Sequence, residues 1–462
     1  MIARLSKAGR TTIVAIVIAT VSVVAAAGIA WSSLRARASQ GPLNGLWRSD
    51  GYGLGLEIAG TRVQAFEMTS VSRLSAWQAN GRFEDRDLVF MRNGCERRLV
   101  SVLPNGLRLH SSCSAADILF AQAPAWASTA NNGPSDNPVA NYAVFWQTFA
   151  EIYPFFNLRR VDWGDVDRRF RPRVASTTTP QNLFGMFREM IEPLRDAHTS
   201  LQVPQNRLRF RGVGAMSLTG DQFVRWASTI LPKYARGVFT PYCKDRLWFG
   251  MVDNGVGYLL ITAFAGLADG SDHTPQVQAL ETALDSIFKD AEQLTGLIID
   301  VRQNDGGYNG LGVAVAARLT TARYLAYMVK ARNNVDGPLR FTPPQSVWVE
   351  PSSRPGFKGR VAMLIGPGSV SGAETFAMSV MGRQPAVTFV GENTQGVYSE
   401  IVGRTLPNGW NVSLPTEVYE TAAGRSFDGV GVAPGVRVHA LRLEDLDAGK
   451  DPILERALAL LR

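Results

Sequence analysis

The feature that most constrains the fold is a series of uninterrupted apolar strands in the second half of the chain. Residues 258–262, 297–301 and 361–365 are each almost entirely apolar, and an amphipathic helix pattern follows every one of them. A strand that is apolar on both faces has to be covered on both, which is typical of a sheet with helices on each side. The sequence therefore predicts an α/β fold, with its working groups at the carboxyl ends of the strands.

Three regions precede this α/β core. Short β patterns separated by turn signals such as Asn80-Gly81 and Asn105-Gly106 predict a small antiparallel β module over residues 42–125. A polar linker follows, and aromatic residues then recur at helical spacing, which predicts a helical subdomain over 138–205. Residues 206–462 are left as the predicted α/β core.

The first 38 residues form a separate N-terminal region, which is either a membrane anchor or a signal peptide. Residues 13–31 contain no charge and are apolar over a length that can span a bilayer as a helix. Arg4, Lys7 and Arg10 precede this stretch, so the positive-inside tendency predicts a single-pass membrane anchor with the bulk of the protein extracytoplasmic, in the cell envelope. The alternative is a cleaved signal peptide, because Ala36 and Ala38 suit a cleavage site, and the protein is then secreted or periplasmic.

Composition excludes several other classes of function. The net charge of +8 at pH 7 comes mainly from the N-terminus, and the remainder is close to neutral, so no nucleic-acid partner is expected. The four histidines and three cysteines form no zinc-ligand pattern, and no metal or other cofactor is predicted. Cys95 and Cys113 lie in the β module and either form a disulfide or are small buried residues, whereas Cys243 is alone.

Two strand–turn–helix junctions contain residues capable of chemistry. Residues 296–307, GLIIDVRQNDGG, end in Gly306 and Gly307, whose N–H groups no Cβ obstructs and which can form an anion-stabilising nest at a helix start. Residues 361–374, VAMLIGPGSVSGAE, place Ser371 where the next helix begins. This serine is either the first residue of a capping box with Glu374 or a nucleophile near the positive end of the helix dipole.

A serine nucleophile needs a base to accept its proton. No lysine lies between Pro367 and Gly449, so a nearby downstream lysine base is excluded and histidine remains. His198 follows an amphipathic helix in the segment PLRDAHTS, residues 193–200, and no motif surrounds the other three histidines.

Taken in order, these segments resemble the tail-specific protease family, which includes C-terminal processing peptidases, the tricorn core protease and the interphotoreceptor retinoid-binding protein. The likeness covers roughly residues 138–440, and its motifs are LRDAHT at 194–199, IDVRQNDGG at 299–307, SGAE at 371–374, VGENTQG at 390–396 and DGVGVAP at 428–434. The resemblance implies a ClpP/crotonase-like serine protease core that acts on a peptide or protein substrate. No PDZ domain is recognisable between residues 209 and 254.

The resemblance also assigns roles to individual residues. It makes Ser371 the nucleophile, and it places the oxyanion hole at the N–H of Gly372 and at the Gly306-Gly307 turn. Such donors stabilise the negative oxygen of a tetrahedral intermediate. Glu374 is expected to support the start of the helix.

The base identifies the branch of the family. Val397 occupies the place where processing peptidases carry a lysine, so the chain resembles the tricorn branch, in which His198 is the general base. Asp428 is expected to orient the imidazole, although that branch usually has a glutamate there. The alternative function is a catalytically weak or inactive protein that binds a peptide or an apolar ligand on the same fold. In a further alternative, an envelope scaffold, Ser371 would act only as a cap.

Overall fold

The structure, a computed structural model, describes residues 43–204, 208–212, 214, 218–333 and 339–462. The predicted membrane segment at residues 13–31 lies outside these ranges. None of the described helices combines the length and the apolar composition that a membrane crossing requires.

The predicted β module is present as an antiparallel sheet around its own apolar core. Its described strands pair in the order β4-β3-β2-β1-β9-β8-β7-β6-β5. Cys95 and Cys113 form a disulfide with a Cα–Cα distance of 5.7 Å, which decides between the two alternatives for this pair. The strands are β1 (Gly45–Ser49), β2 (Leu54–Ala59), β3 (Arg62–Thr69), β4 (Ser72–Asn80), β5 (Arg82–Glu84), β6 (Asp87–Arg92), β7 (Cys95–Leu103), β8 (Gly106–Ser111) and β9 (Ile118–Ala123).

The helical region follows as four helices, three of which begin at a side-chain cap. Asn137, Asp162 and Thr179 each accept a hydrogen bond from a backbone N–H in the first turn of the helix that follows. The aromatic residues at helical spacing form its core, where the rings of Phe145 and Phe187 stack with their centroids 3.9 Å apart. The helices are α1 (Pro138–Ile152), α2 (Phe156–Arg159), α3 (Trp163–Phe170) and α4 (Pro180–Ile191), with 3-10 turns at Arg171–Arg173 and Glu192–Leu194.

A small sheet joins this helical region to a distant part of the chain. Strand β10 (Ser200–Val203) pairs with β11 (Leu208–Arg211) on one side and with a strand at Asn411–Pro415 on the other. Trp410 and Leu414 consequently pack into the aromatic core of the helices. This contact places the segment that contains His198 against the C-terminal half of the chain.

The predicted α/β core is confirmed as a seven-stranded sheet with the order β12-β13-β14-β15-β19-β21-β25. Strands β14, β15, β19, β21 and β25 run parallel, and β12 and β13 extend one edge antiparallel. Separate apolar clusters pack on the two faces of the sheet, as continuous apolar strands require. Its strands are β12 (Thr240–Tyr242), β13 (Leu247–Asp253), β14 (Val256–Ile261), β15 (Gly296–Asp300), β19 (Arg360–Ile365), β21 (Thr388–Gly391) and β25 (Val436–Arg437).

The remaining described strands complete the small four-stranded sheet, form a separate three-stranded sheet and form one short parallel pair, and further helices accompany them. The other strands are β16 (Gln303–Asn304), β17 (Tyr324–Ala331), β18 (Gln345–Val349), β20 (Gly368–Ser369), β22 (Ile401–Thr405), β23 (Asn411–Pro415) and β24 (Glu417–Glu420). The helices are α5 (Gly220–Arg225), α6 (Leu231–Tyr234), α7 (His273–Ile287), α8 (Asn309–Ala317), α9 (Gly372–Ser379), α10 (Leu443–Ala448) and α11 (Pro452–Leu461), with a π turn at Trp226–Ile230 and a 3-10 turn at Ala291–Gln293.

A buried ion pair network fastens the C-terminal helix to the central sheet. The Arg302 guanidinium donates to Asp300 at the end of β15 and to Asp451, the N-cap of α11, with distances from 2.6 to 3.1 Å. All three side chains are almost completely buried. Removing one member of such a network leaves an uncompensated buried charge.

We expect Arg302→Met to lower the free energy of unfolding by about 3–5 kcal/mol, because two buried carboxylates lose their cation. The measurement is the midpoint of urea denaturation. Arg323→Met is the matched control, since the Arg323–Glu350 pair is largely exposed and is expected to contribute less than about 1 kcal/mol. Equal losses in the two variants would contradict the structural role of the network.

Candidate active site

The two glycine-containing junctions meet at the carboxyl ends of their strands. Strand β16 pairs in parallel with β20, and the N–H of Val370 donates to the Asn304 carbonyl at 3.1 Å. The Ser369 hydroxyl also donates across this joint, to the Val301 carbonyl at 2.8 Å. The loops that follow β15 and β19 are therefore hydrogen-bonded to each other immediately before Ser371.

Ser371 occupies a strained backbone conformation at the start of α9. Its φ of 55° and ψ of −113° lie in a region that residues other than glycine rarely adopt. Such a conformation costs on the order of 1–3 kcal/mol and is concentrated at functional sites. A Cβ on Gly306 would stand 2.8 Å from the Ser371 Cβ, so only glycine allows the two turns to approach this closely. The serine is thus presented on a tight strand-to-helix turn, as a nucleophile would be.

The N–H groups around this turn differ in their availability. The Gly306 N–H donates to the Asn304 side-chain oxygen at 2.9 Å and is therefore occupied. The N–H groups of Gly307 and Gly372 have no acceptor among the described residues. The two glycines are in contact, because a Cβ on Gly372 would stand 3.0 Å from the Gly307 nitrogen. Of the two glycines in the predicted turn, Gly307 is the one with an available donor.

Glu374 connects the start of α9 to the loop that follows β21. Its buried carboxylate accepts hydrogen bonds from the Thr394 hydroxyl and the Gly396 N–H, both at 2.6 Å, from the Val397 N–H at 2.8 Å and from the Ser371 N–H at 3.3 Å. Burial raises the pKa of Glu374 to about 7, against the opposing effect of these hydrogen bonds. The carboxylate thus links the start of α9 to residues 394–397.

His198 lies buried between the helical region and the core. Its backbone N–H donates to Asp196 Oδ1 at 3.0 Å, and its ring Nδ1 has no hydrogen-bond partner in the described part of the chain. Burial lowers the pKa of the imidazole; Asp196 and the Ser399 backbone oppose this effect, and Arg211 adds to it. A lowered pKa favours the neutral ring, which is the form that a general base requires.

Asp196 is a residue of the site to which the sequence analysis assigned no role. Its buried carboxylate accepts a hydrogen bond from the Tyr153 hydroxyl at 2.9 Å and lies 3.7 Å from the Arg159 guanidinium. Asp196 stands two positions before His198 in the LRDAHT motif. This short spacing could have indicated that the aspartate lies close to the histidine. The aspartate anchors the segment that presents the imidazole.

Asp428 is buried beside Ser426 and Tyr398. Its carboxyl accepts hydrogen bonds from the Ser426 hydroxyl at 2.8 Å and from the Tyr398 N–H at 3.5 Å. Burial, together with the nearby carboxylates of Glu374 and Asp196, raises its pKa to about 8. No hydrogen bond between Asp428 and the His198 ring occurs in the described ranges. Its orienting role stays a prediction.

A cleft of about 510 Å³ opens where these segments meet. Its walls include Ala197, which precedes His198, and Val370, which precedes Ser371. Gln303 and Asp305 from the glycine turn line the same cleft. The predicted base, nucleophile and oxyanion donors therefore belong to segments that border one cavity.

Two family models match parts of this chain. The family model for peptidase family S41 matches residues 255–438, and the tricorn protease C1 domain matches residues 134–192. Together the two models cover more than half of the 462 residues. A search of curated protein sequences finds no match to this chain.

Solved structures extend the comparison. A protein assigned as a peptidase from Parabacteroides merdae is 26% identical over 71% of this chain and 97% of its own, with a TM-score of 0.59. Mature CPAF in complex with lactacystin is 12% identical over 70% of this chain and 97% of its own, with a TM-score of 0.51. The photosystem II D1 C-terminal processing protease is 16% identical over 69% and 98% of the two chains, with a TM-score of 0.42.

Proposed function

This chain belongs to the tail-specific protease family and is a serine peptidase, and we propose that Ser371 and His198 form its catalytic centre with the N–H groups of Gly307 and Gly372. The observation that carries the proposal is the joint between the two strand ends, where Ser371 lies on a strained turn directly against Gly306. Neither feature is needed if Ser371 only caps a helix.

The proposed mechanism proceeds through an acyl-enzyme. The neutral imidazole of His198 accepts the proton of Ser371 Oγ as this oxygen attacks the scissile carbonyl carbon. The carbonyl oxygen becomes negative and is stabilised by the N–H groups of Gly307 and Gly372. The imidazolium then donates its proton to the leaving amine, and water releases the acyl group by the same steps in reverse.

A fluorophosphonate probe tests this assignment, because it reacts covalently with an activated serine. We expect one adduct, and mass spectrometry of the digested protein is expected to locate it on Ser371. An adduct on another serine would overturn the assignment of the nucleophile. A folded sample that resists labelling would favour the alternative, a peptide- or ligand-binding protein on the same fold.

We also propose that the protease acts outside the cytoplasm, in the cell envelope or after secretion. The apolar segment at residues 13–31 supports this location. The Cys95–Cys113 disulfide supports it as well, because such bonds persist in oxidising compartments. Digestion of the folded domain by a protease added outside intact cells or spheroplasts would check the placement.

A further inference from the structure

A second and larger cavity opens beside the cleft. It has a volume of about 860 Å³, within the range of about 300–1,000 Å³ that ligand pockets occupy. Helices α5 and α6, the π turn between them and strands β13 and β14 line it. We call this cavity the apolar groove, since its walls are mainly the side chains of Phe223, Ala227, Leu231, Val238, Phe239 and Trp248.

The apolar groove continues into the candidate active site. Leu218, Gln303 and Asp305 line both the groove and the cleft. Asp305 directly precedes the Gly306-Gly307 turn, and Gln303 belongs to the strand that pairs with β20 next to Ser371. A chain that occupies the cleft can therefore extend into the groove without leaving the protein surface.

The groove leaves apolar side chains uncovered. Val238 is 87% exposed at its rim, and Phe223, Phe239 and Trp248 are only partly buried. Its charged lining residues are Asp245, Arg246 and Asp305, so most of the wall offers no ionic partner. Covering such a surface with apolar groups is favourable, because apolar area is removed from water.

We propose that the apolar groove binds large apolar side chains of the peptide substrate, at positions beyond those that flank the scissile bond. The inference rests on the proposed function and specifies its substrate class: unfolded or extended segments with a distal apolar cluster. The occupant is a continuation of the cleaved peptide, because the groove and the cleft share one wall. Specificity then depends on residues remote from Ser371.

Peptides matched in length and cleavage site test the proposal. One series carries leucine or phenylalanine at distal positions on either side of the scissile bond, and the other carries serine there. We expect kcat/KM to be about 10- to 200-fold higher for the apolar peptides, the discrimination that an apolar pocket provides. Equal values in both series would overturn the proposal.

Variants locate the preference within the groove. Ala227→Arg introduces a long charged side chain into the wall and is expected to abolish the preference for apolar peptides. Val238→Asp is a second variant at an exposed position that tolerates substitution, and it is expected to reduce the preference. Val224→Arg is the matched control, because Val224 lies on α5, is 63% exposed and does not line the groove. The control is expected to keep the wild-type preference.

The rate of fluorophosphonate labelling tests the proposed catalytic centre separately from the proposed role of the groove. The probe requires the catalytic centre and not the groove, so labelling is expected to be unchanged in all three variants. A folded wild-type protein that the probe does not label would count against the proposed function itself. Normal labelling with a preference that survives both groove variants would overturn the inference about the groove alone. A wild-type dimer that Ala227→Arg dissociates, without any peptide preference, would make the groove a self-association face instead.

Discussion

Replacing Ser371 by alanine is expected to lower kcat for peptide hydrolysis by about 10⁶-fold, which is the typical cost of removing a serine nucleophile. The expected loss is this large because no acyl-enzyme can form without the hydroxyl. The variant should still bind peptides, since the groove and the oxyanion donors remain. The measurement is single-turnover hydrolysis of a fluorogenic peptide, together with peptide binding by fluorescence anisotropy.

Ser379→Ala is the matched control for this experiment. Ser379 lies in the same helix and is fully buried, and its hydroxyl donates to the Phe376 carbonyl at 2.8 Å. Its replacement is expected to leave kcat within a few-fold of the wild type. A Ser371→Ala protein that retained more than about a hundredth of the wild-type activity would exclude this serine as the nucleophile.

Much of the core could be predicted from local patterns. The apolar strands at 297–301 and 361–365 are continuous because both of their faces are buried, and this pattern does not depend on distant residues. The glycines of the two junctions were equally visible, since a close approach of two backbones excludes any Cβ. These features are local, and the sequence predicts them for that reason.

The pairing of β10 with β23 could not be predicted in the same way. It joins Ser200 to Ser413 across more than two hundred residues, and each strand alone is short and carries no register signal. The availability of the Gly307 N–H, rather than that of Gly306, depends in the same way on where the Asn304 side chain points. Such details follow from tertiary contacts, which no local periodicity encodes.

The contact between the β module and the core was also beyond sequence analysis. The Tyr52 hydroxyl donates to the buried Glu417 carboxylate at 2.8 Å, and the Tyr419 hydroxyl donates to the same group. Burial and the charge of Glu417 raise the pKa of Glu400 to about 8, while hydrogen bonds from Ser114 and Ala115 of the module oppose this rise. Charged residues normally indicate an exposed surface, so their burial here is visible only once the two domains are in contact.

The second large effect concerns the base. His198→Ala is expected to lower kcat by about 10⁶-fold, and the double variant with Ser371→Ala should lose little more, because the two residues act as one unit. The wild-type pH profile provides an independent check. Burial lowers the pKa of His198 below its usual value of about 6.5, so kcat/KM should be maximal at neutral pH and fall only as the pH decreases through that lowered pKa. Activity that is independent of pH between 4 and 8 would contradict a histidine base.

Two aspartate variants then determine which carboxylate assists His198. Asp428 has a pKa of about 8, so it is mainly protonated at pH 7 and its replacement by neutral asparagine should change kcat less than about tenfold. A charged orienting role would instead cost about 10⁴-fold in the same variant. Asp196 is the carboxylate that raises the pKa of His198. Asp196→Asn should therefore shift the acid limb of the pH profile to lower pH. An unchanged acid limb in Asp196→Asn, together with a large loss of kcat in Asp428→Asn, would indicate that Asp428 orients His198.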